Sequence, residues 1–361
     1  AMAHELREYA LGFRPDIVHA MHLQGLSASV LDVFESLGLP VVYTAADFWT
    51  VCPVVDLRRH DGELCSGPEV SHCIRCVASR NPDPGVRKRA DLPRAVTAAA
   101  GLLSRTPLAR KSRALGQVAD VRDRPSFIRE KMKSVDLVLA YTGLTRDLLS
   151  LNGVGVGKTH VSHYGIDTAP AAEARRLRRP STTLRVGFVG TLAPHKGPDL
   201  AVRAFEALPP GLDATLVIHG AADQPYDDEL GALARGDKRI SFRGAFAREE
   251  LTDVFSEMDV LVVPSRWYEN APGVIFEAFA AGVPVVATDL GGMSEFVRHG
   301  RNGLLFGLND AEDLAEQLRC LMEEPGLLAK LREGIGPVKT VGEYTDELEE
   351  IYAGLVRGSE R

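Results

Sequence analysis

Short valine-rich runs alternate with longer stretches whose apolar residues recur every three or four positions. Residues 16–19, 40–44, 135–140 and 159–162 read as brief buried strands, and 26–37 as a helix between the first two. The second half repeats the pattern, with strands expected at 186–189, 214–219, 240–243, 260–263 and 283–287. Leu200, Ala201, Ala204, Phe205 and Leu208 give one intervening segment an apolar helical face. Leu348, Ile351, Tyr352 and Leu355 do the same for a closing helix over 343–356. Short, nearly continuous apolar strands separated by amphipathic helices predict an α/β fold with parallel sheets.

A length of 361 residues accommodates two domains, each with its own core. A formal net charge of -7 argues against a nucleic-acid partner. No apolar run reaches the ~20 residues needed to span a bilayer, and the first residues show no signal-peptide core. A cytoplasmic location is expected, with cysteines reduced or metal-bound.

The densest chemistry lies at 262–286. An apolar strand enters a loop carrying Glu269, and a helix is expected to begin near Pro272, with Pro at its first position and Glu277 about one turn in. The amides of Gly273 and Val274 would then point outward as an anion site. Carboxylates flanking such a site suit a ligand with hydroxyls on either side of a phosphate. Two solvated glutamates on an ordinary strand–loop–helix unit are the alternative, because helix N-termini favour acids.

Around this pair the chain reads Pro264-Ser265, then Glu269, Glu277 eight residues on, and Gly282-Val283-Pro284-Val285-Val286. It continues through Asp289-Leu290-Gly291-Gly292 and Gly300-Arg301-Asn302-Gly303. Upstream stands Val186-Gly187-Phe188-Val189-Gly190-Thr191, followed by Lys196-Gly197. Together these motifs resemble the donor site of retaining glycosyltransferases of family 4. The resemblance runs from about Pro15 onward. It implies the GT-B fold, two Rossmann-like parallel-sheet domains facing a cleft, and transfer of a sugar from a nucleotide-diphosphate sugar without a catalytic metal. It further implies that Glu277 holds the ribose hydroxyls, Glu269 the transferred sugar and Lys196 the diphosphate. Gly190 and Thr191 would approach the donor, and Gly244 and Phe246 would lie near the base.

Three departures from the family pattern stand out. Thr191 occupies the position of a phosphate-binding arginine. Ala46, in Thr44-Ala45-Ala46-Asp47-Phe48-Trp49, replaces a histidine of the reaction centre, while Asp47 is kept to contact a sugar hydroxyl or to cap the next segment. The first domain reads as lacking its opening strand, its glycine-rich loop and the following units, with residues 1–14 as the helix before the fourth strand; a divergent, shorter first domain is the alternative. The expected organisation is a first, acceptor-side domain over 1–170, with a cysteine-rich insert at 50–80 and a basic helical insert at 80–133. A hinge at 171–183, a nucleotide-sugar domain at 184–338 and a crossing helix at 339–361 complete it. The competing reading is a degenerate, non-catalytic nucleotide-sugar-binding or scaffold protein.

Cys52, Cys65, Cys73 and Cys76 have the spacing C-x12-C-x7-C-x2-C. Such a set predicts tetrahedral thiolate ligation of structural zinc, with an iron–sulfur cluster or simple free thiols as alternatives. The run 152–159 imitates a phosphate loop, but Asn152 stands where glycine is needed and a strand follows, so a turn is expected. The basic stretch 80–133 carries Arg87-Lys88-Arg89, Arg110-Lys111 and Arg113 among Leu102, Leu103, Leu108 and Leu115. It reads as a solvated helical insert beside the acceptor, or as a weak membrane-surface contact suited to a lipid-linked acceptor. Glycans and small molecules are the other acceptor classes. A nucleotide-sugar epimerase of the same fold fits the glutamate pair less well.

Overall fold

The computed structural model describes residues 2–221 and 224–359; the side chains of Leu108, Arg110 and Ser359 lie outside the described set. Two compact units emerge, one of residues 1–163 with 346–361, the other of 164–345.

The first unit opens with helix α1 (Met2–Phe13), strand β1 (Val18–Ala20), α2 (Leu31–Ser36) and β2 (Val41–Ala45). A helical stretch follows: α3 (Val70–Ser79), α4 (Pro84–Arg87), α5 (Arg94–Leu103) and α6 (Arg113–Lys131). Strand β3 (Leu137–Ala140), α7 (Gly143–Leu151) and β4 (Thr159–Val161) complete it. The four strands pair in parallel, in the order β1-β2-β3-β4. All five residues of β2 are buried, as expected for a central strand covered on both faces. The run 152–159 forms the turn between α7 and β4 and ends on the first residue of β4, with Gly153, Gly155 and Gly157 at positive φ.

The second unit contains α8 (Ala169–Leu177), β5 (Leu184–Val189), α9 (Pro198–Ala207), β6 (Ala214–His219), α10 (Tyr226–Leu233), β7 (Ile240–Gly244) and α11 (Leu251–Ser256). Strand β8 (Val260–Val263), α12 (Gly273–Ala280), β9 (Val285–Thr288), α13 (Gly292–Phe296), β10 (Gly303–Phe306), α14 (Ala311–Glu323) and α15 (Leu327–Glu333) follow. Helix α16 (Val341–Ser359) closes the described chain, and its residues from Asp346 count with the first unit. There Tyr352 packs edge-on against His19 and Ser162 donates to Glu347 at 2.8 Å.

The second sheet is fully parallel, ordered β10-β9-β8-β5-β6-β7. One apolar cluster, including Phe188, Phe205, Leu216 and Phe306, fills one side. Another, including Phe255, Leu261, Ile275 and Phe279, fills the other. Strand β5 is bordered by β6 on one side and β8 on the other: the chain runs outward from β5 through β6 to β7, then crosses back to β8 and continues in the opposite direction. Such a reversal opens a crevice at the carboxyl ends of the strands, where open α/β sheets take ligands.

Candidate active site

The loops leaving β5 and β8 meet at that reversal. The first carries Lys196 and the second Glu269. Their closeness depends on Gly197, which sits at φ 71°, where a Cβ atom would lie 2.1 Å from the carbonyl oxygen of Pro264. Only a residue without a side chain fits there. Gly292 plays the same part on the other flank, since its Cβ would stand 2.4 Å from the carbonyls of Glu269 and Asn270.

Glu269 is 6% exposed, and a buried carboxylate needs partners. Its Oε1 accepts from Lys196 Nζ at 2.7 Å, Ser265 Oγ at 2.7 Å and Trp267 Nε1 at 2.8 Å. The Lys196 ammonium also lies 5.1 Å from the centre of the Trp267 ring. Arg266 holds the two loops together through both oxygens of Asp199, the Pro194 carbonyl and Asn309 Oδ1. Burial alone would raise the Asp199 pKa, but the bonds and charge of Arg266 bring it below the usual range.

Helix α12 starts one residue later than expected: Pro272 is its N-cap and Gly273 its first residue. Its apolar positions Ile275, Phe276, Ala278 and Phe279 are buried, so Glu277 falls on the remaining face. The helix ends where Val283 N–H reaches the Ala278 carbonyl and Gly282 adopts φ 65°. No side chain caps its N-terminus, and the amides of its first residues have no intrahelical acceptor. Glu277 is partly buried, and among the described residues no protein group hydrogen-bonds to its carboxylate. Desolvation raises its pKa, with Arg248 opposing the shift. Tyr164 donates to the Ala271 carbonyl at 2.9 Å. Its own pKa is pushed up to about 12, by burial first and then by Glu277 and Glu269.

Beside these loops a cavity of about 580 Å³ opens over β5, β6 and β7, lined by Gly190, Thr191, His219, Tyr226 and Phe246 among others. His219 meets Phe246 edge-on at 5.5 Å, and burial lowers its pKa. Gly244 accepts the Gly220 amide at 2.8 Å just behind the cavity.

The structure therefore joins Lys196 to Glu269, sets Gly273, Val274 and Glu277 on one helix, and puts Gly190, Thr191 and Phe246 around one cavity. Asp47 belongs to the first unit, where Oδ1 accepts the Trp49 amide at 2.8 Å and Oδ2 pairs with His22. Ala46 precedes it, immediately after β2. Sequence reasoning gave no role to Tyr164, Ser265, Trp267, Arg266 or His219. Ser265 and Trp267 lie within four residues of Glu269, a usable signal, whereas Tyr164 contacts Ala271 across 107 positions.

Zinc or iron–sulfur ligation by the four cysteines finds no support among the described residues. Cys52, Cys65, Cys73 and Cys76 do line one small cavity, of about 20 Å³. Yet among the described residues no three His, Cys, Asp or Glu side chains are placed to hold an ion. The Cys65 thiol donates to the Gly67 carbonyl at 3.0 Å. Desolvation pushes the other three up, Cys73 to about 12.

Residues 183–324 match the family described as "Glycosyl transferases group 1". The chain is 34% identical over 199 residues to a D-inositol 3-phosphate glycosyltransferase of Rhodococcus jostii, covering 47% of this chain and 44% of that protein. It is 28% identical over 269 residues to the Streptomyces bingchenggensis protein of the same name, covering 69% and 57%. The chain thus spans about half the length of the curated relatives it matches. Among solved structures it is similar to Anabaena Alr3699/HepE in complex with UDP, with TM-score 0.68 and 17% identity over 98% of this chain and 82% of that one. It also resembles sucrose-phosphate synthase of Thermosynechococcus elongatus, with TM-score 0.66 and 18% identity over 99% and 77%. These likenesses establish the fold as GT-B, an α/β fold with two parallel-sheet domains.

Proposed function

We propose that the chain is a retaining glycosyltransferase of family 4 that moves a sugar from a nucleotide-diphosphate sugar to an acceptor hydroxyl. One observation carries the reading: Glu269, buried and triply hydrogen-bonded, stands beside Lys196 at the sheet's reversal point, next to an uncapped helix bearing Glu277. The relatives and neighbours support it. Alr3699/HepE has been solved with UDP and with UDP-glucose, which makes uridine donors the first to try.

In this proposal Glu277 accepts hydrogen bonds from the ribose hydroxyls; its desolvated carboxylate, with no hydrogen-bond donor among the described residues, gains most from them. The nucleotide occupies the cavity lined by Gly190, Thr191 and Phe246, with the base toward Phe246 and Gly244. The diphosphate meets the Gly273 and Val274 amides and the two Lys196 protons not used by Glu269. Negative charge grows on the diphosphate as the sugar–oxygen bond breaks, and fixed dipoles and a cation stabilise it without a catalytic metal. Thr191 supplies no positive charge, so Lys196 and the helix N-terminus carry that task. Glu269 holds the transferred sugar through its second oxygen, and Asp47 serves the acceptor side. The nucleotide-sugar domain, expected at 184–338, is assigned to the second unit and the acceptor-side domain, expected at 1–170, to the first; the expected hinge at 171–183 falls partly on α8, whose Ala171 and Ala174 are buried in the second unit's core.

The test is release of nucleoside diphosphate from a panel of nucleotide sugars mixed with hydroxyl acceptors. The anomeric configuration of the product, read by NMR, reports retention. Tight donor binding with no turnover across the panel would favour the non-catalytic reading.

A further inference from the structure

The first unit holds an apolar groove that sugar transfer does not explain. It lies among α3, α5 and α6, has a volume of about 410 Å³, and is walled by Ile74, Val77, Val96, Ala100, Val118 and Val121. That size suits one small ligand. Polar groups are few. Asn81, Thr97 and Gln117 contribute, and Arg89 and Asp120 are the charged residues of the lining. The apolar character continues onto the surface: Val96 is 47% exposed, and Leu103, seven residues on and so on the same face of α5, 50%. Leu92, also of the lining, is exposed. Large apolar side chains grouped on one surface mark contact with something other than water.

Charge selects the occupant. The chain carries a net charge of -7, yet the segment around the groove has the opposite sign. Arg87, Lys88 and Arg89 are exposed in succession at one end. The Arg87 guanidinium reaches back to the Asn81 carbonyl at 3.3 Å, which places it at the rim. Arg113 opens α6 immediately before the lining residue Ala114. An apolar slot with cations at its mouth fits a molecule with a hydrocarbon chain and an anionic head. No helix among the described residues is long and apolar enough to cross a membrane.

We propose that this groove takes the acyl chain of an anionic membrane phospholipid, with Arg87 and Arg89 receiving its phosphate. The site anchors the first unit to an anionic bilayer, and its occupation does not depend on the transfer reaction.

The experiment is co-sedimentation of the full chain with vesicles of phosphatidylglycerol and phosphatidylcholine, against phosphatidylcholine alone. Binding is expected only to the anionic vesicles. Val96→Glu puts a charge at the groove mouth on an already exposed position and should weaken binding about tenfold. Arg89→Glu, also exposed, should weaken it about fivefold or more. Leu308→Glu, in the second unit, should change nothing. In free solution a fluorescent fatty acid should bind, be displaced by dihexanoyl phosphatidic acid, and fail to bind Val96→Glu. Three results would overturn the proposal: no binding to anionic vesicles; adsorption that salt removes but Val96→Glu leaves unchanged; or a dimer in sedimentation equilibrium that Val96→Glu dissolves, which would assign the groove to a second copy. Because no readout involves sugar transfer, failure here leaves the donor-site reading untouched, and the reverse holds.

Discussion

Removing the Glu269 carboxylate probes the structure where it is most constrained. In Glu269→Ala three donors lose their acceptor at once. Ser265 is 1% exposed, so its hydroxyl would be left without water, at about 1–3 kcal/mol. Breaking a buried ion pair typically costs about 3–5 kcal/mol, but the Lys196 side chain is 27% exposed and can turn toward solvent, which discounts that figure. A net loss of about 2–4 kcal/mol is expected. Glu269→Gln keeps an acceptor for Ser265 and Trp267 and loses only the charge, so about half that loss is expected. Urea denaturation of both variants, and of Lys196→Met alone and combined with Glu269→Ala, completes a double-mutant cycle. The 2.7 Å contact predicts a coupling of about 1 kcal/mol or more between Lys196 and Glu269. Additive losses, or a Glu269→Ala variant as stable as the parent, would refute the reasoning that this pair fastens the β5 and β8 loops.

Glu277→Gln should raise the melting temperature at neutral pH. Burial lifts the folded-state pKa of Glu277, so its ionised form penalises folding above that pKa and the penalty is relieved as pH falls through it; a variant no more stable at pH 7 than at pH 4, relative to the parent, would contradict this. Asp259 behaves oppositely: burial alone would raise its pKa, but bonds from Arg185 and Arg332 depress it below the usual range. Its stabilisation should therefore be complete above the ordinary aspartate value of about 3.9 and be lost as pH falls through the lower folded pKa, and Asp259→Asn should cost about 2–4 kcal/mol by denaturant titration. Gly197→Ala should destabilise by more than about 3 kcal/mol, since both its φ and the Pro264 carbonyl exclude a Cβ; a loss under about 1 kcal/mol would show that the loop yields.

The fold was legible because it rests on local pattern. Valine-rich runs at β2, β8 and β9 are buried on both faces, and a buried parallel strand cannot disguise its composition. Strand β10 was the exception among the second unit's strands: Gly303 was read only as part of a motif, and no strand was expected there. Of the candidate site, those parts encoded within one strand–loop–helix unit could be read directly, such as Glu277 one turn into α12. Parts created by packing could not. That Lys196 pairs with Glu269 depends on a 73-residue closure. That Tyr164 lies near both glutamates depends on the entry of the chain into the second unit. The cysteines show the limit of spacing arguments. Their sequence interval brings four thiols to one cavity, but among the described residues no group of three or more His, Cys, Asp or Glu is placed to hold an ion.

The central claim is that the second unit binds a nucleotide through Glu277 and the adjoining helix N-terminus. Isothermal titration calorimetry of nucleoside diphosphates, uridine diphosphate first, against the parent chain and Glu277→Ala tests it most directly. Loss of charge-assisted hydrogen bonds to hydroxyls should cost ~1.5–3 kcal/mol, about tenfold or more in affinity. The account predicts saturable one-to-one binding by the parent and that loss in the variant. Equal affinity in both, or no binding by any nucleoside diphosphate, would contradict it.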